Sequence, residues 1–291
     1  MTAHENPTIN QARNARTMSV ALDMDYLRGW VGREETAVDL ITPALVERFG
    51  TTLGGSTLGL HWCLAPPTVP MSDVGHDGHP KKGGFLPPVP LQYRMWAAGE
   101  TTFYSGLPVR GEVERHSTID DVTLKQGRTG PLVFVKVLHR YSAEGTIRLQ
   151  ERQTIVYKET AAAAPSNAGE PFAADLEQML ETNSVLLFRY SALTFNGHRI
   201  HYDEPYAREV EGYEGLVVHG PMIATCLMQM AGREAERMGV TLENFSFRGV
   251  SPAIADGTLQ LLGKREEGGF TLQARDDEGR VKMEAKASLK A

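Results

Sequence analysis

Cysteine is scarce in this 291-residue chain. Cys63 and Cys226 stand far apart with no CxxC spacing, which argues against a disulfide framework and against a zinc ribbon. Both read as buried or bystander thiols. Long apolar runs are absent too: no stretch reaches the roughly 18 residues a transmembrane helix needs, and the opening MTAHENPTINQARNARTMSV lacks the apolar core of a secretory leader. The expected setting is therefore intracellular and cytoplasmic. Excess positive charge is also missing. With 30 Lys and Arg against 36 Asp and Glu, the formal charge is −6, and no basic field exists to neutralise a nucleic-acid backbone. Neither nucleic acid nor membrane is an expected partner. No glycine-rich dinucleotide fingerprint follows a strand, so no separate redox cofactor is implied.

What the chain does have is enough apolar material for a core, 41% of its residues. It also has one clear point of punctuation. KETAAAAPSNAGEPFAAD, residues 158–175, combines small residues and two prolines without apolar periodicity and reads as an interdomain linker. The expected organisation is a flexible tail over 1–18, a first domain over 19–157, the linker, and a second domain over 176–291.

In the first domain, LITPALVERFGTTLG predicts a helix capped by Thr42, with Pro43 in its first turn and a stop at Gly50. The stretch APPTVPMSDVGHDGHPKKGGFLPPVPLQ is too long and too rich in proline and glycine for a plain connection, and loops of that kind are functional or disordered. ETTFYSGLPV, GEVERHSTIDDVTLK, GPLVFVKVLHRYS and GTIRLQERQTIVYKE alternate in polarity and predict an antiparallel meander. In the second domain, SVLLFRYSAL predicts a strand, DEPYAREVEG a short helix, and HGPMIATCLMQMAGREAERMG a mostly buried helix with Pro221 in its first turn and Gly239 at its end. Strands return in LENFSFRGVSPAI, GTLQLLGKREEGG and FTLQARDDEGRVKMEAKASLKA. Each half is thus a helix plus antiparallel strands, an α+β plan that suggests a duplicated module.

Between these elements, TFNGHRIHYD concentrates Asn196, His198, Arg199, His201 and Asp203 in ten residues. Asn-Gly alone is a common turn pair. His198 and His201 at i, i+3 could ligate a metal, but no cysteine and no third histidine cluster with them, so no metal is expected.

SALTFNGHRIHYDEPYA followed by GLVVHGPMIA resembles the signature of the MaoC-like, type 2 enoyl-CoA hydratases, which are hot-dog folds. WVGREE, GHPKKGGFLPPVPLQYRMWAAGE and DVTLKQGRTGPLVFVKV resemble the degenerate first hot dog of the fatty-acid-synthase-like dehydratases. Together they look like the double hot-dog subgroup that contains mesaconyl-C4-CoA and itaconyl-CoA hydratases and mitochondrial 3-hydroxyacyl-thioester dehydratases. The resemblance implies two sheets, each wrapped around a central helix, and a thioester substrate that brings coenzyme A with it.

It also implies roles. The family's catalytic histidine falls on His201, and the glycine whose N–H helps to bind the thioester carbonyl falls on Gly220. The catalytic aspartate falls on Asn196, a departure: a neutral amide cannot act as a base, so Asn196 is expected to orient water while His201 handles both protons. Arg199 replaces a proline; it could pair with a substrate carboxylate or form a surface salt bridge. His198 and Tyr190 join it as expected substrate contacts. The proline-rich loop falls where the family covers its substrate. The activity implied is reversible hydration of an enoyl-CoA, with a branched dicarboxylic acyl group such as mesaconyl-C4-CoA or itaconyl-CoA. The alternatives are an acyl-carrier-protein dehydratase, a hot-dog thioesterase and a non-catalytic acyl-CoA binding module. Hot dogs commonly pair edge to edge, so a homodimer is expected.

Overall fold

The computed structural model describes residues 22–160 and 169–290. Residues 1–18 of the expected tail, and 161–168 within the expected linker, lie outside the described residues. The elements follow in the order α1 (Met24–Arg28), β1 (Glu34–Ile41), α2 (Pro43–Leu53), β2 (Tyr93–Phe103), β3 (Gly111–Gly127), β4 (Gly130–Ala143), β5 (Thr146–Lys158), β6 (Leu176–Glu181), α3 (Ser184–Thr194), α4 (Glu204–Glu209), α5 (Gly220–Arg237), β7 (Thr241–Gly249), β8 (Thr258–Glu266), β9 (Gly269–Arg275) and β10 (Val281–Lys290).

The strands make one ten-stranded antiparallel sheet in the order β1-β3-β4-β5-β2-β7-β10-β9-β8-β6. Read inward from either edge, the two halves are the same, because β1-β3-β4-β5-β2 maps onto β6-β8-β9-β10-β7. The halves meet edge to edge where β2 pairs with β7, Gly99 opposite Phe247. Gly99 is required at that seam, since a Cβ there would overlap the Phe247 ring.

The second half is a hot dog around α5. The helix is buried nearly all round because Met222, Ile223, Leu227, Met228 and Ala231 meet the inner face of β7–β10, including Phe245, Leu261, Leu272 and Ala285. Pro221 sits in its first turn, and Gly239, at φ 75°, follows its end.

The first half keeps the sheet but holds no such helix among the described residues. Helix α2, capped by Thr42, packs beside α3 and seats Phe49 against Ile41, Val113 and Leu149. It runs past Gly50 to Leu53, because Gly54 at φ 101° supplies the left-handed exit that Gly50 was expected to give. The rest of the concave face is covered by α1, by a 3₁₀ turn over Leu60–Cys63, and by the proline-rich loop, whose Val89 joins Leu27, Ile119, Val135 and Tyr157. A sheet half covered by short segments leaves room for a cavity.

One element departs in type. SVLLFRYSAL is the helix α3, not a strand. Asn183 caps it by accepting from the Leu186 N–H, and its apolar residues divide between the core, where Leu187 and Tyr190 lie, and solvent, where Val185 and Phe188 stand. The chain reads as a continuous apolar run because the helix has no single apolar face.

Candidate active site

Helix α3 ends where Phe195 takes a left-handed conformation, φ 51°, and turns the chain into TFNGHRIHYD. The Asn196 side-chain oxygen then accepts the His198 backbone N–H at 2.9 Å, an Asx turn that leaves the amide N–H groups free for a ligand. A 3₁₀ turn over Arg199–His201 follows, and Asp203 caps α4. The segment is seated by the proline-rich loop. Gly78 lies so close that a Cβ there would overlap the Gly197 carbonyl oxygen, the Asp77 carbonyl accepts the Arg199 N–H at 3.0 Å, and the His79 ring lies 4.3 Å from that of His198. Asp77 is itself held by Arg94 at 3.6 Å.

His201 is buried, and its Nδ1 lies 2.7 Å from the Val217 carbonyl oxygen. A carbonyl only accepts, so Nδ1 carries the proton and Nε2 presents a lone pair. The ring stacks on His219 at 3.6 Å. Burial first, then His219 and His198, hold the His201 pKa well below the ordinary 6.5. Burial brings His219 down to about 3, and its Nε2 lies 2.8 Å from the Ser191 hydroxyl. Both rings are therefore neutral near pH 7.

Gly220 opens α5 beside them. Among the described residues its N–H has no backbone partner; Met222 and Ile223 both donate to the His219 carbonyl, and Pro221 has no N–H. A free donor at the positive end of an 18-residue helix suits a developing oxyanion. A Cβ at Gly220 would meet only Met283 Cε, at 3.9 Å, so the space in front of it is open to a ligand.

Asn196, His198, His201, Gly220 and Tyr190 all line one cavity of about 840 Å³. Asn196 and His201 face it without a hydrogen bond between them. Tyr190 packs its ring 4.9 Å from that of His219. His198 is held from behind by Glu211 at 3.2 Å, which also accepts from the Tyr206 hydroxyl. Arg199 is placed differently. Its Nε and Nη2 donate to Asp203 at 2.9 and 2.6 Å, its Nη1 to the His76 carbonyl, and its plane lies over the Tyr206 ring, so the guanidinium is committed to the loop and does not line the cavity. Lys82, from the covering loop, donates to the Val89 and Leu91 carbonyls.

The cavity also reaches residues that the sequence reading passed over: Glu35, Trp62, Arg115, His139, Tyr141, Glu151 and Gln153. On strands β3–β5 these alternate in the meander as any inward residue does. The one signal was their polarity at positions where a hot dog normally buries aliphatic side chains.

The sequence model of the hydroxyacyl-thioester dehydratase type 2 family matches residues 59–255. The mesaconyl-C4-CoA hydratase of Chloroflexus aurantiacus is 36% identical over 89% of this chain and 96% of its own length. In structure, HtdX of Mycobacterium tuberculosis superposes with a TM-score of 0.66 at 22% identity, over 88% of this chain and 99% of that one. A second M. tuberculosis protein, described as having a double hotdog fold, superposes at 0.52 with 12% identity, over 89% and 96%. A family match across two thirds of the chain, a relative similar along almost all of it, and the repeated strand order agree: the chain belongs to the hydroxyacyl-thioester dehydratase type 2 family, on a double hot-dog fold.

Proposed function

We propose that the protein reversibly adds water across the double bond of an enoyl-CoA, or in reverse dehydrates the 3-hydroxyacyl thioester. The proposed substrate is a short branched dicarboxylic acyl-CoA such as mesaconyl-C4-CoA or itaconyl-CoA. The observation that carries this reading is the lone pair of neutral His201 Nε2 in the same cavity as the unpartnered Gly220 N–H. Water, accepting an N–H from Asn196, gives one proton to His201 as its oxygen attacks the β-carbon. The electron pair of the C=C moves through the α-carbon to the thioester oxygen, where the Gly220 N–H stabilises it. His201 then returns its proton to the α-carbon. Since the water is deprotonated and the α-carbon reprotonated by the same His201, the hydroxyl and the proton arrive on the same face of the double bond. No further cofactor takes part in this reading, which also includes a homodimer and a cytoplasmic setting. No helix among the described residues is long and apolar enough to cross a membrane.

A thioesterase would want a carboxylate on the central helix aimed at the substrate. Glu234 is buried on α5 but is bound to Arg265 at 2.8 Å, away from the cavity. The test follows the absorbance of the conjugated thioester for crotonyl- and mesaconyl-C4-CoA, and formation of the hydrated product for itaconyl-CoA. Wild type should consume the thioester, and His201→Ala should be slower by about a hundredfold or more, the range for loss of a general acid/base. Turnover unchanged in His201→Ala would refute the mechanism, and release of free thiol by wild type would make the protein a thioesterase.

A further inference from the structure

The inner face of the first half is polar where that of the second is apolar. Arg115 on β3 stands directly opposite Tyr141 on β4, and His139 on β4 opposite Glu151 on β5. Gln153 follows on β5, two residues along and on the same face. All five line the cavity that reaches His201 and Gly220. Arg115 and Glu151 are buried, and the counterpart strands of the second half carry Leu261, Leu272 and Ala285 in their core. Burying an arginine and a carboxyl two strands apart on one face of a sheet costs several kcal/mol unless each finds hydrogen-bonding partners.

The hydrogen bonds show which way the site is polarised. Ser117 lies 2.9 Å from His139 Nδ1, and His139 Nε2 lies 3.3 Å from Gln153 Oε1. An amide oxygen only accepts, so the imidazole donates to it, the Ser117 hydroxyl donates to Nδ1, and the Gln153 amide is left with N–H groups to offer. Trp62 Nε1 donates to one Glu151 oxygen at 2.9 Å. Arg115 uses one nitrogen, Nη2, on Glu35 at 3.0 Å, while its Nε is buried with no partner at all. Donors therefore outnumber acceptors around Arg115, and the N–H groups that its guanidinium has left over suit a carboxylate.

We propose that Arg115, with Gln153 and Tyr141 beside it, binds a carboxylate carried by the acyl chain of the substrate, and so makes the first half of the chain its specificity site. This rests on the hydratase reading above, and it places the recognition of the acid on Arg115 rather than on Arg199. Glu151 opposes it less than an ordinary carboxylate would, since burial pushes that carboxyl up to about 7 and keeps it partly protonated near neutrality.

The test compares pairs of thioesters that differ in the carboxylate. On the wild-type protein, succinyl-CoA and butyryl-CoA are compared as inhibitors of crotonyl-CoA hydration; succinyl-CoA should bind at least about tenfold more tightly, as expected for a hydrogen bond to a charged group. In Arg115→Met that advantage should vanish. The ratio of kcat/KM for mesaconyl-C4-CoA to that for crotonyl-CoA should also fall by about tenfold or more, and Arg115→Lys should recover only part of it. Equal inhibition of wild type by the two saturated thioesters would overturn the proposal even if Arg115→Met does not fold. So would a ratio unchanged in a folded Arg115→Met, while loss of both activities in His201→Ala left the hydratase reading standing. Failure of wild type to hydrate any enoyl thioester would remove the hydratase reading itself.

Discussion

His201 is a weak base held in its basic form. Its Nδ1 proton is fixed on Val217, and its pKa is pushed below 6.5 by burial and by His219 stacked upon it, so acidification does not readily remove the lone pair. In the proposed reaction the conjugate acid would be correspondingly strong, which favours prompt return of the proton to the α-carbon. The expected kcat profile is flat from pH 8 down through 6.5, where an ordinary histidine would already be half protonated. An acid limb centred on 6.5 in kcat would mean that His201 is not shifted or not the base. Hydration in D₂O gives a second readout: deuterium and the hydroxyl should arrive on one face, and opposite faces would require a second proton donor. Asn196 contributes differently from an aspartate at the same place. With its oxygen engaged by the His198 N–H, it offers its amide N–H groups, which suits holding a water by its oxygen, and a neutral amide does not deprotonate that water.

At the scale of elements, the active segment is positioned less by its own helix ends than by the loop laid against it. Gly78 has φ 87° and touches the Gly197 carbonyl, so Gly78→Ala is strained twice, by conformation and by overlap. We expect it to destabilise the fold by about 2–4 kcal/mol and to raise KM for the thioester several-fold, read by thermal melting and steady-state kinetics. A lowered melting temperature with KM untouched would detach the loop from the site. Much of this was legible in the sequence. Thr42–Pro43 and Pro221 with Gly239 marked α2 and α5, and alternating Val, Thr and Ile marked the central strands. The edge strands β1 and β6 were not legible: EETAVDLI puts Glu35 and Asp39 on its more buried face and Val38 and Leu40 on its exposed one, and LEQMLE half-buries only Leu176, Gln178 and Leu180. Helix α3 was missed because its apolar residues lie on two faces. TFNGHRIHYD and HGP contribute one wall of the cavity. The opposite wall was hidden, since Arg115, His139 and Glu151 become neighbours only through strand register, and a single sequence does not show that.

The whole molecule is one strand order used twice, and the two copies have diverged in what they bury. One half wraps an apolar helix and the other surrounds much of the cavity, and the histidines buried in both make stability depend on pH. His61, His139 and His219 are each brought down to about 3, chiefly by burial, and His201 is also lowered. In the unfolded chain each accepts a proton near 6.5, whereas in the folded chain it stays neutral, so acidification favours unfolding. Glu151 acts with the opposite sign: raised to about 7, it keeps a proton in the folded state that the unfolded chain releases above 4.5, so its contribution falls as pH rises through that window. Four histidines outweigh one carboxyl. Between pH 6.5 and 4.5 the unfolding free energy should fall on the order of 3 kcal/mol per pH unit, from about 1.4 kcal/mol per pH unit for each unmatched proton. Denaturant unfolding at pH 7.5, 6.5 and 5.5 measures it directly. His139→Asn, which keeps a polar partner for Ser117 and Gln153 but cannot titrate, should reduce the slope by one histidine's share. A stability that stays level over this range would mean that these rings take up protons in place, and the cavity would then have to be open enough to water to hydrate them.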